Sequence, residues 1–316
     1  MAAPKKNPAP KASSAAKTPT KASSEPSIGG LLGALADICK EVGVKESKTY
    51  RPVPTGINVL DFYNARYFQN HDTQEYELFT GMPIGKMIVK VGYTGTGKTT
   101  LSVQEAMALV EPYENGTVFH FDLENAWSVE RTADVSGIDI NIVRRKYKRF
   151  DPVSLETIYA FVKKVINAKQ KAMASGDEGV WVDDARTGER IPVPTVIIID
   201  TIAALQSEQV MNENEEMGKL MYEKGAQAGA NNAFAQRMAG MIGDPNITIY
   251  AVNHIRVGIS DGAPKAKRVQ YLNVDETCPG GTGFPQYADY FLKMVPCESL
   301  TNKQDEGFAI PGKIVR

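Results

Sequence analysis

The chain has 316 residues and a hydrophobic content of 42%, enough for one large α/β domain with a buried core and some decoration, but a tight fit for two domains. Its three cysteines, Cys39, Cys278 and Cys297, lie far apart with no Cys-x-x-Cys, which supports neither a disulfide framework nor a zinc site and makes a reducing cytoplasm the default. The formal net charge is only −1, no apolar run approaches the ~20 residues of a bilayer span, and the N-terminus lacks an apolar signal core, so a soluble protein is expected.

Charge is unevenly spread. Residues 1 to 25 hold five Lys (Lys5, Lys6, Lys11, Lys17, Lys21) against Glu25, leaving 31 basic and 36 acidic residues, or −5, for the remainder. This first segment is built almost wholly of Ala, Pro, Ser, Thr and Lys, which cannot bury enough apolar surface to offset the entropy of ordering. A basic disordered tail over 1–27 is expected: a solvated segment, or one with weak, salt-sensitive attraction to nucleic acid. Next, Leu31, Leu32, Leu35, Ile38, Cys39 and Val42 fall on one helical stripe, with Ser27 as a possible cap and Gly43 as a stop. The helix and its linker occupy 28–50. Such a stripe packs on its own domain or docks on a neighbouring subunit.

From residue 51 to 316 strands and helices alternate, the pattern of an α/β fold with a mostly parallel twisted sheet and helices on both faces. Strands are expected at Met87–Val91, Thr117–Leu123, "TVIIID" (195–200) and "ITIYAVN" (247–253), and helices at Thr99–Val110, Leu155–Lys171 and about Met217–Met241. Two stretches interrupt the alternation. The aromatic-rich 61–81 has no clear periodicity, and 179–193 has the pattern of a hairpin turning near Thr187-Gly188. Both are expected as surface decoration.

The stretch "VGYTGTGKTT" (91–100) fits Gly-x-x-x-x-Gly-Lys-Thr. Composition alone produces such a match in about one chain in a hundred; its position between a strand and a helix is what marks a phosphate cradle. The cradle runs Gly92, Tyr93, Thr94, Gly95, Thr96, Gly97, Lys98, Thr99, Thr100. Its glycines let backbone N–H groups approach phosphate, and the helix beginning near Lys98 presents its positive dipole end. Lys98 is placed for the β- and γ-phosphates and Thr99 for Mg²⁺, so the cofactors expected are ATP and Mg²⁺. Asp200, ending an apolar strand, is the second metal-side residue, reaching the ion through water. The preceding strand ends in "FHFDLEN", which brings Asp122 and Glu124 to the carboxyl edge where open α/β sheets bind ligands. Glu124 is the candidate for polarising the attacking water.

In order and spacing, the P-loop, Glu124, "VIIIDTIAAL" (196–205), "AVNHIR" (251–256) and "PGGTGFPQYAD" (279–289) resemble the RecA-type homologous recombinases. The Gly-Gly-Thr-Gly and Tyr-Ala-Asp runs are most similar to phage recombinases of the UvsX kind. "PTGINVLDF" (54–62) and "GMPIGKMI" (81–88) match the family's approach to its P-loop, so the resemblance spans roughly 51–300. It implies a P-loop NTPase of RecA-like fold: a DNA-dependent ATPase that self-associates into a helical filament on single-stranded DNA and pairs it with a homologous duplex in recombination and repair. In that scheme Lys98 and Glu124 are catalytic, Thr99 and Asp200 hold the metal, and His254 senses the γ-phosphate. The segment beyond, 256–283, holds DNA through Arg256, Lys265, Lys267, Arg268 and Tyr271, a basic cluster beside an aromatic. The family's other DNA loop falls on the acidic 207–219.

Two departures accompany the resemblance. Where relatives stack an aromatic on adenine, this chain offers Trp127 and Arg131, which leaves base selectivity open. The chain also stops at "GFAIPGKIVR" while still resembling the last strands of the core, with only Lys313 and Arg316 as candidates for the cations that relatives place on ATP of the adjacent subunit. The expectation is one piece of a longer or split recombinase, or dependence on those two residues. Alternatives from the same fold are a ring-forming helicase or motor, and a regulatory ATP-binding partner without strand exchange. A cytoplasmic, DNA-associated location is expected, without membrane contact.

Overall fold

The computed structural model describes residues 41–42, 50–69, 73–184, 187–208, 224–257, 272–273, 275–296 and 313–315. The chain divides into two units, Met1–Glu46 and Ser47–Arg316. Of the first, only Glu41 and Val42 are described, as helical and exposed; the tail and most of the amphipathic stripe lie outside the described residues.

The second unit is an α/β domain around a seven-stranded sheet. Its strands are β3 (Met87–Gly92), β4 (Thr117–Asp122), β5 (Tyr147–Phe150), β8 (Thr195–Asp200), β9 (Ile247–His254), β12 (Tyr290–Val295) and β13 (Lys313–Val315), in the spatial order β13-β12-β3-β9-β8-β4-β5. The six strands from β12 to β5 are parallel, and β13 alone runs antiparallel. Parallel strands need crossovers. Helix α2 (Lys98–Val110) links β3 to β4; α3 (Val129–Ser136) and α4 (Ile140–Lys146) lead to β5; and α5 (Leu155–Ser175) leads towards β8. Helix α6 (Lys224–Ala239) precedes β9, and the short α7 (Gly283–Tyr287) precedes β12.

Burial on both faces explains the apolar runs. Met87, Val89, Val91, Ile197, Ile199, Ile247 and Ile249 pack with Leu155, Ile158, Val162 and Ile166 of α5 and with Phe234 and Met238 of α6. Ile88, Val196, Ile198 and Val252 turn the other way onto Val103, Ala106 and Met107 of α2. Alternate residues of one strand thus serve opposite cores. The four branched residues of β8, Val196 to Ile199, are wholly inaccessible, and at about 1.5–3 kcal/mol each contribute roughly 6–12 kcal/mol. Beneath the P-loop, Lys90 of β3 is ion-paired with Glu105 of α2, both fully buried, and its ammonium lies 4.1 Å from the centre of the Tyr250 ring.

Differences from the expected boundaries have local causes. Helix α5 runs on to Ser175, because nothing stops it before Gly176, whose left-handed φ of 71° closes the last turn. Helix α2 begins at Lys98, one residue before the expected start. Strand β4 ends at Asp122, so the alternation does not extend to Glu124. Of the long expected helix, 217–223 lies outside the described residues, Lys224–Ala239 is helical, and Gly240 and Met241 are turn. Segment 61–81 resolves into the end of α1 (Asn58–Tyr63) and a hairpin, β1 (Arg66–Gln69) with β2 (Tyr76–Phe79), whose Phe68 and Phe79 meet edge to face under Arg51. Segment 179–193 forms the hairpin β6 (Trp181–Asp183) and β7 (Arg190–Pro192).

Candidate nucleotide site

The sheet register aligns the candidate residues at its carboxyl edge. Gly92 pairs with His254 across β3 and β9, and Asp122 with Asp200 across β4 and β8. Glu124 follows β4 by two residues. Four separate strand ends therefore converge, the place where parallel sheets bind ligands.

The loop between β3 and α2 turns through the left-handed residues Gly95 and Gly97. Gly97, at φ 81°, is the N-cap of α2 without a side-chain cap, which leaves the first amides of the helix free for an anion. Gly92 serves packing: a Cβ there would sit 2.5 Å from the Met294 carbonyl oxygen. Lys98 donates to the Tyr93 carbonyl at 2.8 Å. Burial lowers its pKa against the raising influence of Asp200 and Glu124.

Thr99 Oγ1 donates to Asp200 Oδ2 at 2.5 Å. Asp200 Oδ1 is buried with no partner. Burial raises the Asp200 carboxyl to about 6, opposed by the Thr99 bond and reinforced by Glu124 and Asp122. A hydroxyl beside a carboxylate with an unanswered oxygen fits a magnesium ion that takes its remaining ligands from phosphates and water. Among the described residues there is no cluster of three or more His, Cys, Asp or Glu that could hold a metal.

Glu124 Oε1 accepts from Thr201 Oγ1 at 2.8 Å and lies 2.8 Å from His254 Nε2. Asp122 has a different task. It accepts from the Trp127 and Ala126 amides at 2.9 and 3.2 Å and from Arg149 Nε at 2.9 Å. Burial alone would raise its carboxyl, and these donors together hold it below the ordinary Asp value. Asp122 shapes the turn that carries Glu124, while Glu124 remains half exposed.

A cleft of about 430 Å³ is lined by Thr94, Gly95, Gly97, Lys98, Thr99, Thr100, Glu124, Asp200, Thr201 and His254, with Ala126, Trp127 and Arg131 on a further wall, a volume suited to a small ligand. The chain between Leu60 and Ala233 matches the family model described as an AAA domain. The chain belongs to the AAA domain family. This AAA domain is a P-loop NTPase, and with its parallel sheet it has the α/β core of the RecA-like type. No curated protein matches the chain.

Of the expected cradle of this AAA domain, Gly92, Tyr93 and Thr96 do not line the cleft. Tyr93 turns its hydroxyl to Glu276 Oε1 at 2.8 Å, and Thr96 is buried with its hydroxyl on the Tyr93 carbonyl. Tyr93 and Thr96 support the loop from behind because their side chains find partners there. Arg256 is exposed on β10 (Arg256–Val257), which pairs with β11 (Glu276–Thr277). Lys265, Lys267, Arg268, Tyr271 and Arg316, and all of 209–223, lie outside the described residues; Lys313 begins β13. Arg131 stacks on Trp127, its guanidinium 4.6 Å from the ring centre. Thr201 is a site residue that sequence reasoning missed, although a hydroxyl directly after a strand-end Asp was the available signal. His120 is another. No described helix is long and apolar enough to cross a membrane.

Proposed function

We propose that this AAA domain is an ATP-dependent recombinase, assembling as a helical filament on single-stranded DNA and pairing it with a homologous duplex. The observation that carries the reading is the 2.8 Å contact between His254 and Glu124. It joins the carboxylate suited to water activation to the strand that leads through Arg256 into the basic segment with Lys265, Lys267, Arg268 and Tyr271. In the proposal Lys98 and the α2 amides bind the ATP phosphates, and Thr99 and Asp200 hold Mg²⁺, which when bound neutralises charge on the phosphates. Glu124, fixed by Thr201, takes a proton from the attacking water. His254, touching Glu124, passes the state of the cleft to the DNA-holding segment. The resemblance to phage recombinases of the UvsX kind supports the same reading.

ATPase rate with and without single-stranded DNA, with the same samples imaged, tests it. Stimulated turnover and helical filaments are expected. Rings would indicate a motor of the same fold, and the absence of both stimulation and assembly a regulatory ATP-binding protein. Replacing Lys265, Lys267 and Arg268 by Ala should also flatten the salt dependence of DNA binding, by about 0.7 in log-log slope for each phosphate no longer neutralised.

A further inference from the structure

His120 lies on β4 two residues before Asp122, so both side chains leave the same face of the strand, and it is completely buried. Its Nδ1 is hydrogen-bonded to the Tyr147 hydroxyl. Its Nε2 has no hydrogen-bond partner and lies 3.8 Å from Asp200 Oδ2. The phenol is itself buried, on β5. With the phenol donating to Nδ1, the imidazole proton resides on Nε2. In that tautomer a buried N–H faces the Asp200 carboxylate, whose other oxygen is also without a partner.

Packing does not require this. Buried polar atoms are normally satisfied, and Nε2 is not, although Nδ1 has the Tyr147 hydroxyl. The 3.8 Å separation exceeds a hydrogen bond, so the two groups face each other across a gap, with Asp200 Oδ2 held by Thr99. Partners behind a metal-side residue fix its orientation and are worth about 10–100-fold in metal affinity.

We propose that His120 is a positioning residue that holds the Asp200 carboxylate in its metal-side orientation, with Tyr147 locking the imidazole tautomer. Trp127 lies on the same chain of contacts, its Nε1 donating to Thr132 at 2.8 Å and its ring 6.5 Å from that of His120. The inference rests on the reading of Asp200 as the metal-side carboxylate.

The test is Mn²⁺ binding to the full chain carrying a non-hydrolysable ATP analogue, read by the spin resonance of the free ion. It is paired with ADP affinity and thermal unfolding in EDTA. His120→Phe should weaken Mn²⁺ binding about 10–100-fold while leaving ADP affinity in EDTA at its wild-type value, with the unfolding midpoint in EDTA lowered by the Tyr147 hydroxyl it leaves unpaired. His120→Gln, whose amide N–H can take the place of Nε2–H, should recover most of the affinity. Should His120→Phe fail to fold, Tyr147→Phe keeps the ring and removes only its lock, and should still weaken Mn²⁺ binding several-fold. Unchanged Mn²⁺ affinity in the folded variants overturns the proposal, as does a parallel fall in ADP affinity in EDTA, which would make His120 a packing residue. Asp200→Asn separates the two claims: if it too leaves Mn²⁺ affinity unchanged, the reading of Asp200 fails first.

Discussion

Strand β8 runs between a half-buried lysine and a buried aspartate that the fold treats differently. At its amino end Lys169 reaches from α5 to the Val193 carbonyl and to Thr195 Oγ1, the latter at 3.0 Å, and burial lowers its pKa to about 7. Lys146, at the same end, is similarly engaged, its ammonium on the carbonyls of Val110, Tyr113 and Glu114 that close α2. At the carboxyl end Asp200 is raised to about 6, again by burial, yet one of its oxygens and the facing His120 Nε2 are left without partners. Both ends bear a desolvation cost. Protein groups answer it at one end, and at the other the answer is left for a ligand. Between Lys169 and Asp200, hydrogen-bond completeness is what differs.

The sharpest way to break that contrast is Lys98→Ala. Nucleotide binding is expected to fall more than about 100-fold by calorimetry, because charge-assisted hydrogen bonds to phosphate disappear, while the unfolding midpoint without nucleotide is preserved. A matching loss of stability would make Lys98 structural after all. Glu124→Gln should retain ATP affinity and lose about 10²–10⁴-fold in turnover; weakened ATP binding equal to that of Lys98→Ala would remove Glu124 from water activation. His254→Ala should bind ATP normally and lose the ATP-induced gain in DNA affinity, a coupling of about 5–150-fold, measured by anisotropy with and without nucleotide. An undiminished gain would leave His254 with a local role only.

The opposite edge supplies a change of opposite sign. Lys169 is depressed to about 7 in the folded chain from an ordinary 10.5. Between those values the unfolded chain binds more protons, so wild-type stability rises with pH across that window, and the penalty is complete below about pH 7. Lys169→Met should therefore stabilise the protein at pH 6 by about 1–3 kcal/mol, with the gain fading towards pH 10 and turnover unchanged. Denaturant unfolding at pH 6 and pH 9.5 measures it, and equal gains at both would show that packing, rather than charge, is responsible.

Runs such as Val196 to Ile199 were legible because a strand buried on both faces needs no partner information to declare itself. The same holds for the P-loop, where spacing carries the backbone geometry. Helices α3 and α4 and strand β5 were missed: they are short, and "VERTADVS" and "YKRF" place charged residues on the exposed side of elements with little apolar content. The β1–β2 hairpin was illegible since Tyr67 and Tyr76 are exposed while Arg51, well outside the hairpin, covers the inner phenylalanines. Within the site, Asp200, Glu124 and His254 could each be named from local context. Their mutual contacts could not, because Thr201 and His254 lie 77 and 130 residues from Glu124. His120 in an apolar strand has the look of a core residue until Tyr147 and Asp200 are placed beside it.

The ion pair between Lys90 and Glu105 ties the strand entering the P-loop to the helix leaving it, in a layer with no access to water. Losing either member alone strands a charge in the core, at about 3–5 kcal/mol, whereas replacing both by apolar residues of like volume is close to neutral. A lineage carrying this fold can therefore leave the pair only by way of a much weaker intermediate or by changing both codons together. Positions 90 and 105 should drift as a unit across descendants of this sequence, charged together or apolar together.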